Sequence, residues 1–205
     1  MLVDLHTHTF HHSLDSSLSL DALIAGAKAR GLDGVCLTEH NALWDKRKLL
    51  DASAENGIAL LPGIEVGTEQ GHVLVFGLER LDRRIFLIET LRKLVLAERG
   101  LMVLAHPYRQ PGGSLGRAEL VRYFDAIEVL NGHEASGCNS DPINLSAELG
   151  LPGTGGSDAH SIEEIGTCVT RFEMKVRSVE ELVREIRAGR VSPVNLGEVS
   201  STSTP

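Results

Sequence analysis

Short apolar runs alternate with amphipathic stretches along almost the whole chain. Residues 2–5 read as a short buried strand, and Ser19 then caps a helix whose apolar side carries Leu20, Leu23, Ile24 and Ala27, with Gly31 as its stop. Residues 34–38 form a second strand and residues 44–56 a second helix ended by Gly57. The runs 58–61 and 72–76 are strands that can pair across the turn region 67–71. A helix over about 82–99 is predicted from Ile85, Ile88, Leu91, Leu94 and Val95 at helical spacing. Strand 101–105, a Pro/Gly-rich loop over 107–116, a short helix ending near Tyr123 and strand 126–130 follow. A helix over 139–149 and strands over 152–156 and 167–172 lead to a last helix, opened by Ser178 with Glu181 as a capping box and running to about Ala188.

No linker and no fixed-period repeat interrupts this order. Regular alternation of strand and helix indicates a mostly parallel α/β sheet. Seven or eight strands in 205 residues favour a tight or incomplete barrel, with a doubly wound sheet as the alternative. The expected organisation is one domain over 1–199 followed by a loose polar tail, 200–205, of sequence SSTSTP.

Composition narrows the class. A hydrophobic share of 42% with 23% charged residues is that of a soluble globular chain rather than a disordered one. No apolar run approaches the roughly 20 residues that span a bilayer, and MLVDLHTHTF lacks the regions of a signal peptide. Cys36, Cys138 and Cys168 are odd in number and form no CxxC pair, which fits a reduced, cytoplasmic chain with structural cysteines. Twenty basic residues against 28 acidic ones give a formal charge of −8, which disfavours binding to extended nucleic acid. The anomaly is histidine: nine of them outnumber the eight aromatic residues.

Most of these histidines fall just past predicted strands. His6 and His8 lie in DLHTHT, His40 in LTEH, His106 in LAHP, and Asp158 with His160 in GSDAH, while Glu65 closes PGIE. In a parallel α/β sheet, residues after the strands converge on one rim. His6 and His8, two apart, project to the same side. His72 opens its strand, so it reaches that rim only if the strand runs the other way or its end curls inward. Imidazoles and carboxylates without thiolate suit Zn, Mn or Fe. The glycines of GTGGSDAH lack the GK[ST] ending of a nucleotide-binding loop and are read as letting backbone approach the centre closely.

These segments, DLHTHT with Asp15 downstream, LTEH, PGIE, GHVLVFG, LAHP and GSDAH, resemble the polymerase and histidinol phosphatase (PHP) family in both content and order. The resemblance implies a distorted (β/α)7 barrel with two or three divalent ions at its C-terminal rim. Carried over by residue, it implies one ion on His6, His8, Glu65 and Asp158, and a second on Glu65, His72 and His106. A third would take Asp15, His40 and His160, with His11 and His12 close enough to compete for the place of Asp15.

A metal pair of this kind supplies an activated water near neutral pH and clamps phosphoryl oxygens, so no Ser or Cys nucleophile is needed. The expected activity is hydrolysis of a small phosphomonoester. Arg109 is the first candidate for holding phosphate and Arg117 the second, while Asn131 and His133 follow a strand in EVLNGH and reach toward substrate. A phosphodiesterase or exonuclease acting on nucleotide ends and a non-catalytic, regulatory metal-binding domain are the alternatives.

Overall fold

The computed structural model describes residues 1–109, 115–134 and 140–197. Among these the elements run β1 (Leu2–Thr7), α1 (Leu20–Ala29), β2 (Gly34–Leu37), α2 (Lys46–Asn56), β3 (Ala59–Thr68), β4 (Gly71–Phe76), α3 (Ile88–Ala97) and β5 (Leu101–Leu104). They continue as α4 (Arg117–Tyr123), β6 (Ala126–Asn131), α5 (Ser140–Leu149), β7 (Gly153–Gly156), β8 (Cys168–Phe172), α6 (Val179–Arg187) and β9 (Val191–Asn195). The nine strands form one sheet in the order β7-β6-β5-β4-β3-β2-β1-β8-β9. Strands β1, β2 and β3 are parallel, as are β5, β6 and β7. Between these sets β4 runs antiparallel to both neighbours. That reversal brings His72, at its start, level with the far end of β3.

The sheet curls until its two sides meet. Past β7, Asp158 donates its N–H to the His6 carbonyl (2.8 Å), and His8 donates to the Ala159 carbonyl (3.1 Å). A parallel bridge between Thr7 and Ala159 completes this seam. The architecture is therefore a nearly closed, barrel-like α/β sheet, not an open doubly wound one.

Two-residue periodicity decides what faces inward. Leu61 of β3, Leu74 and Phe76 of β4, Leu101 and Val103 of β5 and Ala126 of β6 share one cluster with Val3 and Leu5. On each strand the residues of opposite parity, Ile64, Val66, Val73, Val75, Met102 and Ile127, join a separate outer cluster beneath α3 and α4. Val179, Leu182, Val183 and Ile186 of α6 belong to the inner cluster, and Arg187 donates to the Gly100 carbonyl (2.6 Å) just before β5. Helix α6 thus closes one end of the barrel with aliphatic side chains. On β3 and β4 the same inward parity places Glu65 and His72 at the other end.

The predicted elements largely reappear, with five differences. Strand β1 runs on to Thr7, so His6 lies inside it and only His8 follows it. Strand β3 runs through Pro62 and Gly63, so Glu65 lies inside a strand rather than after it. Helix α2 begins only at Lys46, capped by the Asp45 side chain. Helix α3 covers Ile88–Ala97 instead of 82–99. Its start is set by Glu69 at the tip of the β3–β4 hairpin, whose carboxylate accepts from the Ile88 N–H (3.1 Å), a long-range cap that local periodicity does not register. Strand β9 was not expected: it contains Pro193 and lies at the sheet edge, where a missing N–H is tolerated. Cys36 and Cys168 are buried and free. Cys138, the tail 200–205 and residues 110–114 of the predicted loop lie outside the described residues. No described helix is long and apolar enough to cross a membrane.

Candidate metal centre

The seam between β1 and β7 brings the first group together. His6 and His8 are fully buried, and their ring centroids stand 5.0 Å apart, as i and i+2 positions on one side of an extended segment require. Asp158 Oδ1 lies 3.3 Å from His6 Nε2 and 3.1 Å from His8 Nε2. Glu65 presents Oε1 at 3.5 Å to His6 and Oε2 at 3.6 Å to His8. Ligand atoms about 2.0–2.2 Å from a tetrahedral ion are themselves about 3.3–3.6 Å apart, and the spacings of His6 Nε2 from Asp158 Oδ1 and Glu65 Oε1 match the edges of such a site. The decisive atom is His6 Nε2, which is buried without a hydrogen-bond partner. A divalent cation fits that position, because an orphaned buried nitrogen facing two carboxylates is costly otherwise.

Two further groups adjoin the first. Glu65 Oε1 lies 2.8 Å from His72 Nδ1 and 3.1 Å from His106 Nε2. Its other oxygen is 2.7 Å from His40 Nδ1. At the mouth, Asp15 Oδ2 is 3.1 Å from His40 Nε2 and 3.5 Å from His160 Nε2. The structure therefore gathers all nine residues singled out in the sequence: His6, His8, Asp15, His40, Glu65, His72, His106, Asp158 and His160. His11 and His12 do not join them; they pack against the Trp44 ring.

Several residues that hold this cluster were missed. Glu128 accepts from the His106 N–H (2.9 Å) and from Asn131 Nδ2 (2.9 Å), and its other oxygen faces His6 Nδ1 at 2.9 Å. A carboxylate on Nδ1 fixes the tautomer that leaves Nε2 for a metal. Its signal was legible: a glutamate inside the apolar run AIEVL is a buried charge in need of partners. His8 has a comparable arrangement, with Nδ1 3.3 Å from Ser13 Oγ, which donates to Glu39 Oε2 at 2.6 Å. Fully buried Asp4 accepts from the N–H (2.9 Å) and hydroxyl (2.5 Å) of Ser157, next to Asp158. A side chain at Gly156 would put its Cβ 2.4 Å from the His6 Cβ, so only glycine permits this approach. Strain gathers here as well: Asn41 (φ 53°), His106 (φ 26°) and Asp158 (φ 56°) are non-glycine residues with positive φ.

The sequence matches the PHP domain over residues 4–162 and the PHP-associated segment over residues 139–191. The chain belongs to the PHP family. This PHP chain is similar to PsfC from Pseudomonas syringae PB-5123, with 25% identity, a TM-score of 0.74 and coverage of 96% of this chain and 92% of the other. It is similar in fold to a protein from Bifidobacterium adolescentis named as a candidate metal-dependent phosphoesterase, with 18% identity, a TM-score of 0.66 and coverage of 96% and 98%. It also shares its fold with the lesion-specific endonuclease PfuEndoQ from Pyrococcus furiosus, with 19% identity, a TM-score of 0.67 and coverage of 91% of this chain and 56% of that one.

Electrostatics in the PHP cluster favour cations. Burial opposes ionisation of Glu65 and Asp158, yet the surrounding imidazoles, His6 foremost, hold both carboxyls well below their usual range. For His6, burial acts to lower the pKa, and the charges of Asp158, Glu128 and Glu65 outweigh it and push the pKa well above its usual value. Burial, with the charge on His6, pushes His8 down to about 4. The concentration of carboxylate charge around His6 is what a divalent ion would neutralise.

Beside the cluster, Arg109 donates to Asp158 Oδ2 (2.5 Å) and to Asn131 Oδ1. Asn131 is buried, with its amide nitrogen on Glu128 and its oxygen also accepting from the His133 N–H (2.9 Å). Its place is to hold Arg109. His133 stands at the outer edge, Nε2 3.4 Å from Glu164 Oε1. Arg117 is not gathered: it opens α4 and pairs with Glu148 of α5.

Proposed function

We propose that this protein is a metal-dependent phosphoesterase that hydrolyses a small phosphomonoester at the end of the barrel opposite α6. Strands β1–β7 are read as the distorted seven-stranded barrel, and the nine gathered residues as ligands of two or three ions, Zn, Mn or Fe. The observation that carries the reading is the buried, unpartnered Nε2 of His6 facing Glu65 and Asp158 at tetrahedral-edge spacing. Bound divalent ions would supply an activated water near neutral pH and neutralise phosphoryl charge.

The chain's own residues then do the rest. His6, His8, Glu65 and Asp158 would hold one ion, with Glu65 reaching on to His72 and His106. Asp15, His40 and His160 would hold the outermost. Arg109 sits where its guanidinium can exchange Asp158 and Asn131 for phosphate oxygens, a planar fork suited to that geometry. Asn131 keeps the arginine in place, and His133 bounds the substrate from outside. The substrate proposed is a small cytoplasmic phosphoester. Phosphate release from a panel of monoesters, set beside cleavage of a 3′-recessed oligonucleotide, tests the reading. Metal-dependent release from a monoester is expected; cleavage of the oligonucleotide alone would reassign the protein as a nuclease.

A further inference from the structure

The outer edge of the site carries another set of metal-binding side chains that overlaps the nine but is not contained in them. His133, His160 and Glu164 each offer a nitrogen or oxygen within 4.8 Å of the other two. The ring centroids of His133 and His160 are 5.6 Å apart, edge to face at 81°. Glu164 is held rather than loose. Its Oε2 accepts from the N–H groups of His160 (2.7 Å) and Ser161 (2.8 Å), while Oε1 is the oxygen 3.4 Å from His133 Nε2.

His160 is the shared member. Its Nδ1 lies 2.7 Å from the Asp158 carbonyl oxygen, which can only accept, so Nδ1 carries the proton and the single lone pair is on Nε2. The same ring belongs to the inner trio with His8 and His40. One neutral imidazole with one lone pair serves one ion at a time. Two imidazoles and a carboxylate, with room for water, are the donor set of open zinc sites.

We infer that His133, His160 and Glu164 form a peripheral site for a zinc-like divalent cation, whose filling withdraws His160 from the inner cluster and inhibits the protein at excess metal. The inhibition rests on the phosphoesterase reading; the binding does not. The peripheral side chains are part-exposed whereas His6, His8 and Glu65 are buried, so the inner ligands fill first. An ion at the edge also removes His133 from the substrate side.

The test is a zinc titration of metal-stripped protein by calorimetry, on the wild type and on Glu164→Gln. The glutamine keeps a carbonyl oxygen for the His160 and Ser161 N–H groups, and an unchanged melting temperature verifies that the loop holds. The wild type is expected to show tight sites followed by a weaker one, and the variant to lose only the weaker one. Phosphate release should fall severalfold beyond tight-site loading in the wild type and hold its plateau in the variant. Identical isotherms overturn the site, and equal inhibition of both proteins overturns its inhibitory role. Different isotherms with no phosphate release from either protein would support the site and count against the phosphoesterase reading instead.

Discussion

The two halves of the site are built differently. His6, His8, Glu65, His106 and Asp158 are buried, whereas the side chains of Asp15, His40, His72 and His160 are 59%, 31%, 28% and 19% exposed. The inner residues lean on a framework that holds them without metal: Glu128 behind His6 and His106, Ser13 and Glu39 behind His8, Asp4 behind the Ser157–Asp158 turn. Among the outer ones, Asp15 rests mainly on the imidazoles of His40 and His160. Preorganisation is thus concentrated where desolvation is greatest, and adaptability is left at the mouth.

Substitutions can break this contrast. The largest effect is expected for His6→Ala with His8→Ala, which should abolish turnover and lower metal stoichiometry measured by elemental analysis. Glu128→Gln removes no ligand but loosens His6 and His106, and should cost about 10–100-fold in metal affinity or activity. At the opposite end of the barrel, Leu182→Ala should destabilise by about 2–5 kcal/mol in denaturant unfolding while leaving metal stoichiometry unchanged. Asp15→Asn should weaken metal binding less than Glu128→Gln does; an equal or greater loss would erase the distinction between the halves.

The smallest effect concerns pH and lies away from the site. The hydrogen bond from Arg190 (2.7 Å), helped by Arg184 against the burial cost, pulls Glu185 of α6 down to about 2. A carboxyl whose folded pKa is depressed contributes stability above its usual pKa near 4.5 and loses it as pH falls toward 2. Thermal melts should therefore show the wild type losing more stability than Glu185→Gln across that window, whereas above it the offset between the two proteins should stay constant with pH.

Ligands of both halves were legible in the sequence, because short motifs at or near strand ends such as DLHTHT, LTEH and GSDAH carry them. The reversal of β4 is one of the two arrangements that the position of His72 left open, and the sheet decides between them. The supporting carboxylates were not recognised, since Glu128, Glu39 and Asp4 act through partners far away in sequence. The same cause lies behind the shortened α3, whose start is set by Glu69 from the hairpin tip. Strand β9 went unread because Pro193 argues against a strand except at an edge, and edges are a property of the whole sheet. Local pattern revealed the donors; only the closed fold reveals what orients them.

The most direct measurement is phosphate release by one preparation stripped of metal and then reloaded with Mn or Zn. Hydrolysis of a small phosphomonoester is expected to vanish on stripping and return as the buried cluster fills. A fully loaded protein inert across a broad panel of phosphomonoesters would contradict the account.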